Sequence, residues 1–404
     1  MKLKEQWLVI IALSLLLSGG IAGAWAQEAG PPPGWVGTHP IIYKPITGMQ
    51  PKIANVPPYT PAEVRTAYGI NSLPAANTGT GQKIAIIDAY GSPTITSDLA
   101  YFSSQFGLPV ANLQIYYPQG TPGTDPGYPD WAIETSLDVE WAHALAPGAT
   151  ICLVVAADNT GSNLFGAVQY ATSTLGAQIV SMSFGGAEFN GEDTLDGPYF
   201  SVPGTVFVAS SGDNGSGASY PAASPNVVAV GGTSINLNTT TGMVSSETGW
   251  SGSGGGVSAY ESLPSYQSNF GLSYSGRDIP DVSMIADPNT GVWVYFTGNG
   301  GSWYQVGGTS LSTPCWAALF ALVNQGSSPL TDGHQAIYKL AGTMANFNTK
   351  GDYRDITSGS NGAYSCAVGY DLVTGLGVPV ANKLIPDLRS KQTTVPIYQL
   401  LMLN

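Results

Sequence analysis

Charged side chains are scarce in this sequence, and basic ones are the scarcest. They make up 10% of the 404 residues, with 13 Lys and Arg against 26 Asp and Glu, so the formal net charge is −13 at pH 7. Globular chains typically contain about 25% charged residues. The acidic balance argues against nucleic acid as a partner. Because few Lys and Arg are present, little positive charge accumulates when carboxylates are protonated, which suits an acidic medium.

Long apolar runs are also missing, apart from one near the amino terminus. Residues 7–17 are apolar but too few to span a bilayer. This run follows Lys2 and Lys4 and leads into Ala24-Trp25-Ala26, a pattern typical of a secretory signal with a cleavage site after Ala26. We therefore expect residues 1–26 to be removed, and the remaining protein to be secreted, extracellular and without a membrane as partner.

Cysteine is rare as well, which excludes the disulfide framework of small secreted domains. Three cysteines cannot all pair with one another; they are Cys152, Cys315 and Cys366. The chain is instead long enough to bury one large core or to form two domains.

Residues 27–56 are rich in Pro and Gly and lack periodicity, which predicts an extended arm or a short leader. A domain over residues 57–390 and a tail over 391–404 follow. In the domain, short apolar runs predict strands at 83–88, 149–155, 179–184, 206–210 and 227–230. Helical patterns fall between the first of these, at 95–106, 131–145 and 163–174. The alternation predicts an α/β fold with a mostly parallel sheet flanked by helices on both faces. In such folds the active site forms at the carboxyl ends of the strands.

The segment from Gly301 to Gln325 contains a turn followed directly by an apolar helical pattern. Thr309 leads to Ser310, and the spacing of the apolar residues predicts a buried helix with Ser310 at or beside its first turn. That end of a helix favours the negative charge of a serine nucleophile and of the oxyanion it creates. Pro314 lacks an N–H and removes the helical partner of the Ser310 carbonyl, which suggests a site. An N-cap on an ordinary core helix would also explain the pattern.

A serine nucleophile needs a base, and the three histidines offer no catalytic pattern. His39 lies in the arm, His143 lies in an Ala-rich helix where a packing role suits it, and His334 lies on a predicted loop. Glu134 and Asp138 are the alternative, because their i,i+4 spacing puts both carboxylates on one helix face. A solvated acidic helix face would have the same spacing.

Asp213 is a further candidate, although an aspartate in Ser-Ser-Gly-Asp-Asn-Gly is also a common turn former. Taken together, Gly-Thr-Ser310-x-x-x-Pro, Glu134-x-x-x-Asp138 and Ser-Gly-Asp213 resemble, in order and spacing, the motifs of the sedolisins, the serine-carboxyl peptidases. The resemblance runs from about Pro57 to Ile385.

The resemblance implies a subtilisin-like fold and an endopeptidase that acts on peptides or proteins at acidic pH. Ser310 would be the nucleophile, Glu134 the general base and acid, and Asp138 the group that orients it. Asp213 would complete the oxyanion hole, which requires its carboxyl to be protonated, as fits work below about pH 5. A Glu base stays partly ionised at such pH, whereas a histidine would be held as imidazolium.

The resemblance also implies one structural Ca²⁺ ion near the carboxyl terminus. Its ligands would be the carboxylates of Asp355 and Asp371 and the carbonyls of Ile356, Ala367 and Gly369, a set of hard oxygen ligands that suits calcium. Without the resemblance, these aspartates would be taken as turn residues.

Two other functions compete with this one. A neutral subtilisin-like protease would use Asp88 at the end of the first strand, but no His-Gly-Thr-His-like segment follows it. A secreted binding protein on an inactive peptidase scaffold is the second alternative, although all four proposed catalytic positions are filled. In each case we expect a monomer.

Overall fold

The apolar runs of the sequence form the strands of one large sheet. The computed structural model describes residues 30–392 apart from residues 40 and 299, so the predicted signal segment and nearly all of the predicted tail lie outside the described residues. The strands, in chain order, are β1 Ile42–Ile46, β2 Lys83–Ala89, β3 Asn112–Tyr116, β4 Thr150–Ala156, β5 Ile179–Met182, β6 Gly186–Ala187, β7 Val206–Ser210, β8 Ser219–Tyr220, β9 Val227–Leu237, β10 Val244–Gly249, β11 Gly256–Val257, β12 Asp278–Ile279, β13 Val282–Ile285, β14 Val292–Phe296, β15 Ser302–Gly307, β16 Tyr353–Arg354 and β17 Val378–Pro379.

The three helices with predicted bounds, at 95–106, 131–145 and 163–174, begin and end within two residues of those positions, and the helix that carries Ser310 begins at Thr309. In chain order they are α1 Pro61–Ala67, α2 Ile95–Phe106, α3 Asp130–Leu145, α4 Gly161–Ser173, α5 Asp193–Phe200, α6 Ser265–Phe270, α7 Thr309–Asn324, α8 Gly333–Ala341 and α9 Ala381–Gln392. None of the helices in the described residues combines the length and the apolar character that crossing a membrane requires.

The main sheet runs in the order β10-β9-β7-β5-β2-β4-β3, with β13 also paired to β9. Every pair is parallel except β10 with β9. The prediction of a mostly parallel sheet is therefore confirmed. All five predicted strands belong to it, although β5 ends at Met182, two residues early, and β9 continues to Leu237.

Each face of the sheet is covered by its own helices, because side chains alternate along a strand. In β2, Ile84 and Ile86 join the apolar cluster that contains Trp141 of α3, whereas Ile87 joins the cluster that contains Phe165 of α4. Helices α3 and α7 pack on the first face, and α4 and α5 lie on the second. Since the strands are buried on both sides, they appear in the sequence as continuous apolar runs.

One local prediction, the loop position of His334, is wrong, and the predicted extended arm contains a strand that the sequence did not indicate. Residues 42–46 of the arm form β1, which pairs antiparallel with β15, from Ile42 opposite Gly307 to Ile46 opposite Trp303. The partner strand lies far along the sequence and Pro45 interrupts the strand pattern, so no local periodicity indicates β1. His334 lies on α8 rather than on a loop, and it is buried.

Candidate active site

Ser310 is the second residue of α7, immediately after a backbone turn. Gly308 precedes the helix with φ 117°, a conformation that favours glycine. Ser310 itself is fully buried. Helix α7 continues through Pro314 to Asn324, and the hydroxyl of Ser183 donates to the Ser310 carbonyl over 3.3 Å. A side chain at the end of β5 thus replaces the helical hydrogen bond that proline removes.

Glu134 and Asp138 both point into the protein, because almost the whole of α3 is buried between the sheet and neighbouring helices. Each carboxylate is 0% exposed. The alternative of a solvated acidic helix face is therefore wrong. Helix α3 packs along α7, which brings the pair of carboxylates to the helix that carries Ser310.

Burial dominates the electrostatics of Glu134. It raises the pKa of this carboxyl well above its ordinary value, and the nearby carboxyls of Asp138, Asp88 and Asp213 raise it further. Interaction with the Ser310 hydroxyl acts in the opposite direction, which places that hydroxyl beside the carboxyl. Within the described residues, neither Ser310 Oγ nor the oxygens of Glu134 form a hydrogen bond of good geometry. Catalytic contacts are often long before substrate binds.

Asp138 and Asp88 are buried beside Glu134, and the three carboxyls interact electrostatically. Burial raises the pKa of both groups, to about 7 for Asp88, and Asp88 raises the pKa of Asp138 further. The hydroxyls of Thr135, near Asp88, and of Ser183, near Asp138, act in the opposite direction and partly offset these increases in pKa. From the sequence, Asp88 is predicted only as the aspartate of a rival subtilisin-like triad, and no motif indicates Ser183. Both residues could have been recognised as candidate site residues, because Asp88 is a polar residue within an apolar strand and Ser183 directly follows one.

Asp213 lies in the loop after β7, close enough for its charge to raise the pKa of Glu134. Its Oδ1 accepts from the backbone N–H of Thr309 at 2.8 Å and from the Thr309 hydroxyl at 2.9 Å. Its Oδ2 is buried and has no hydrogen-bond partner in the described part of the chain. Burial raises the pKa of Asp213 to about 8. A protonated Oδ2 could therefore donate a hydrogen bond next to Ser310.

The amino-terminal arm passes through the cleft at this point. Thr38 and Gly185 exchange two backbone hydrogen bonds, of 2.8 and 2.9 Å, in an antiparallel bridge. His39 follows, with Nδ1 3.7 Å from Glu134 Oε2 and its ring 4.7 Å from the ring of Trp131. Burial lowers the pKa of His39 and raises that of Glu134, so the charged form of each is disfavoured. The sequence had placed His39 in the arm without a role.

The other two histidines lie away from these carboxyls. His143 contacts the carbonyl of Pro109 through Nε2 at 3.0 Å, as its predicted packing role requires. His334 packs with its ring 5.2 Å from that of Tyr266.

The predicted calcium ligands come together in one loop region. Asp355 Oδ2 accepts from the N–H of Gly369 at 2.9 Å, and Asp371 Oδ2 accepts from the N–H of Ala367 at 3.1 Å. Ile356, beside Asp355, is buried. Asp355 Oδ1 is a buried oxygen without a hydrogen-bond partner among the described residues. No cluster of three or more His, Cys, Asp and Glu side chains suited to a metal occurs in the described chain, and the predicted set has only two.

The fold and the site define an α/β protein of subtilisin type with a serine at a helix amino terminus and buried carboxyls around it. The sequence profile of the subtilase family matches residues 115–355. Kumamolisin of Bacillus sp. (strain MN-32) is 34% identical over 370 residues, which cover 82% of this chain and 63% of the relative. Sedolisin of Pseudomonas sp. (strain 101) is 32% identical over 379 residues, with coverage of 82% and 61%.

A solved structure gives the same result. It is Pseudomonas sedolisin, a serine-carboxyl proteinase, complexed with two molecules of pseudo-iodotyrostatin; the TM-score is 0.71 and the identity is 29%, with 83% of this chain and 99% of that one covered. The chain belongs to the sedolisin family, which confirms the resemblance and the subtilisin-like fold. The matched region spans about three fifths of the length of these two curated relatives.

Proposed function

We propose that this protein is a secreted serine-carboxyl endopeptidase that hydrolyses peptide bonds at acidic pH. The observation that carries the proposal is the meeting of Ser310, Glu134, Asp138 and Asp213 in one buried site at the carboxyl ends of the parallel strands. The sedolisins to which the chain is similar are named as peptidases of this class.

In this mechanism Ser310 Oγ attacks the peptide carbonyl while Glu134 takes its proton. Glu134 then gives that proton to the leaving amine and acts as general acid. Asp138 is the neighbouring carboxyl that orients and tunes Glu134. Asp213 Oδ2 donates a hydrogen bond to the oxyanion, and its raised pKa keeps that proton in place up to about pH 8.

The path of the arm supports an endopeptidase rather than an enzyme that removes short end fragments. The arm enters the site along Gly185 and leaves it along β15, where Ile42 pairs with Gly307. The cleft therefore accommodates polypeptide on both sides of Ser310. The same geometry means that the arm must leave, or be cut, before another peptide binds.

A calcium ion would suit the region of Asp355 and Asp371. The buried, unpaired Oδ1 of Asp355 needs a donor or a cation, and burial raises the pKa of both carboxyls. When bound, the ion would hold the loop through these two carboxylates and the carbonyls of Ile356, Ala367 and Gly369. Its role would be structural and separate from the chemistry at Ser310.

Cleavage of a peptide library between pH 2 and pH 8 tests the function. We expect activity in acid and its loss by several orders of magnitude in Ser310→Ala, with unchanged folding by circular dichroism. An optimum at neutral pH would favour the subtilisin-like alternative. Absence of cleavage by the folded wild-type protein at every pH, after removal of the arm, would favour a binding protein.

The identity of the base is tested separately. Glu134→Gln should lower kcat by about 100- to 10,000-fold, because it keeps the shape of the side chain and removes the proton acceptor. His143→Gln, which also changes a buried polar residue of α3, serves as the control and should keep most of the activity. The reverse order of the two variants would point to a histidine base.

A further inference from the structure

The arm lies in the cleft in the register of an extended peptide. On one side, Thr38 bridges antiparallel to Gly185, and on the other, Ile42 pairs antiparallel with Gly307. Gly185 is two residues after Ser183, whose hydroxyl contacts the Ser310 carbonyl, and Gly307 is three residues before Ser310. Thr38 and Ile42 thus pair with two separate segments of the site, and both line the cavity that also contains Asp213. Addition of an extended segment to strand edges is a common mode of peptide recognition.

His39 lines a defined cavity beside these two pairings. A cavity of about 360 Å³ is lined by residues that include His39, Tyr90, Asp125, Asp130 and Trp131. The imidazole meets the ring of Trp131 edge-on, at 72°, and 15% of the His39 side chain is exposed. Tyr90 also lines the cavity, with 6.4 Å between its ring centroid and that of Trp131.

The pocket has two carboxylates at its rim. Asp130 is held by the Tyr43 hydroxyl, which donates to Oδ1 at 2.6 Å. Asp125 is held by the backbone N–H groups of Gly127 at 2.8 Å and Trp131 at 3.3 Å. The charges of Asp130 and Asp125 favour the protonated form of His39, although burial outweighs them and lowers its pKa. Both carboxylates are thus fixed by the protein itself and act on the side chain in the pocket.

We propose that this pocket is a specificity subsite for a basic side chain (His, Lys or Arg) in one of the last two positions before the cleaved bond. The assignment rests on the proposed peptidase function. A cation there is attracted by Asp125 and Asp130 and lies against the aromatic rings of Trp131 and Tyr90, which also favour positive charge. An apolar side chain would partly desolvate the two carboxylates and return no compensating interaction. In this structure His39 of the arm lines the pocket, and a basic side chain of the substrate would take its place beside Trp131.

Peptides copied from the arm test the subsite. The probes are VGTHPII, residues 36–42 of the chain, and versions in which the residue at the His39 position is Lys, Arg, Leu or Ala. With the wild-type protein we expect kcat/KM for the three basic peptides to exceed that for Leu and Ala by about tenfold, mainly through KM. Asp130→Asn and Asp125→Asn should each reduce this ratio. Asp332→Asn, which removes an exposed carboxylate at the start of α8, should leave it unchanged.

Binding to Ser310→Ala, measured by calorimetry, separates the subsite from the chemistry. A preference for basic peptides in both assays supports the proposal. Equal kcat/KM for basic and apolar peptides would overturn it and leave the peptidase function intact. If basic peptides bind selectively but the wild-type protein cleaves none of them, the peptidase function is refuted. The proposed role of the pocket in choosing the cleaved bond is then refuted too, and the pocket is only a binding site. A preference that survives both Asp125→Asn and Asp130→Asn would assign selection to other residues.

Discussion

Among single residues, Asp213 can be tested most specifically, because its proposed role as a hydrogen-bond donor to the oxyanion requires its carboxyl to be protonated. Oδ1 already accepts two hydrogen bonds from Thr309, so only Oδ2 is free to donate. An asparagine in the same orientation would accept at Oδ1 and donate from Nδ2 without titration. Asp213→Asn should therefore keep more activity than Asp213→Ala, which should lose about 100- to 1000-fold in kcat.

The pH profile gives a second readout for the same residue. In the wild-type protein the acid limb should report ionisation of the carboxyl cluster around Glu134, and the alkaline limb should report loss of the Asp213 proton, whose pKa burial raises. In Asp213→Asn the alkaline limb should move to higher pH. Full and equal activity of both variants, with unchanged profiles, would leave Asp213 as a turn residue.

Among the structural elements, the arm determines whether the cleft is accessible. Its contacts with the cleft wall include the two backbone hydrogen bonds between Thr38 and Gly185 and a hydrogen bond of 2.8 Å from the Gly37 N–H to the Asn159 carbonyl. Thr38→Pro removes one of the N–H donors, and we expect a several-fold higher initial rate of peptide cleavage because the arm dissociates more readily. Thr47→Pro, at an exposed position just after β1, is the matched control. An unchanged or lower rate for Thr38→Pro, with normal folding, would show that the arm does not compete with substrate.

For the whole molecule, the buried carboxyls link stability to pH. Burial raises the pKa of several of them: to about 7 for Asp88 and Asp278, about 8 for Asp213 and Glu261, and about 9 for Glu192. A carboxyl whose pKa is higher in the folded than in the unfolded chain stabilises the fold. This stabilisation is complete when the pH is below the pKa of the unfolded chain, near 4, and it is lost as the pH rises through the pKa of the folded chain. Each carboxyl group that is protonated only in the folded state lowers the free energy of unfolding by about 1.4 kcal/mol for every unit by which the pH rises.

The melting temperature should therefore fall as pH rises from 6.5 to 9. This window also avoids the buried histidines, whose lowered pKa values, about 3 for His334, act in the opposite sense only below about pH 6.5. Calorimetry of the wild-type protein and of Glu192→Gln checks the result, and the variant should show the weaker dependence. A constant or rising melting temperature would contradict the assignment of these protons to the folded state.

Calcium should also act on the stability of the whole protein. If the ion joins Asp355 and Asp371, a chelator should lower the melting temperature at pH 6.5, and added calcium should restore it. Asp355→Asn should remove this response, because Oδ1 of Asp355 is the free oxygen. Purified protein without bound calcium in elemental analysis, and with no response to chelator, would refute the site.

The central strands and helices of the fold can be predicted from local sequence patterns alone. Strands buried on both faces must be continuously apolar, and the segments that became β2, β4 and β7 could therefore be located without a structure. Helices α2 and α3 were located by their positions between strands and their apolar spacing. Ser310 was placed at a helix start for local reasons, since the Gly-Thr-Ser turn and Pro314 lie in one short segment.

Features that depend on contacts between segments far apart in the sequence can be seen only in the tertiary structure. The i,i+4 spacing of Glu134 and Asp138 is the same for a solvated face and a buried one, and the packing of α3 against α7 selected the buried one. The position of His39 beside Glu134 depends on hydrogen bonds to Gly185 and on β15, more than 140 residues away. Local patterns record the preferences of neighbouring residues, whereas burial and strand pairing between remote segments arise only when the chain is folded.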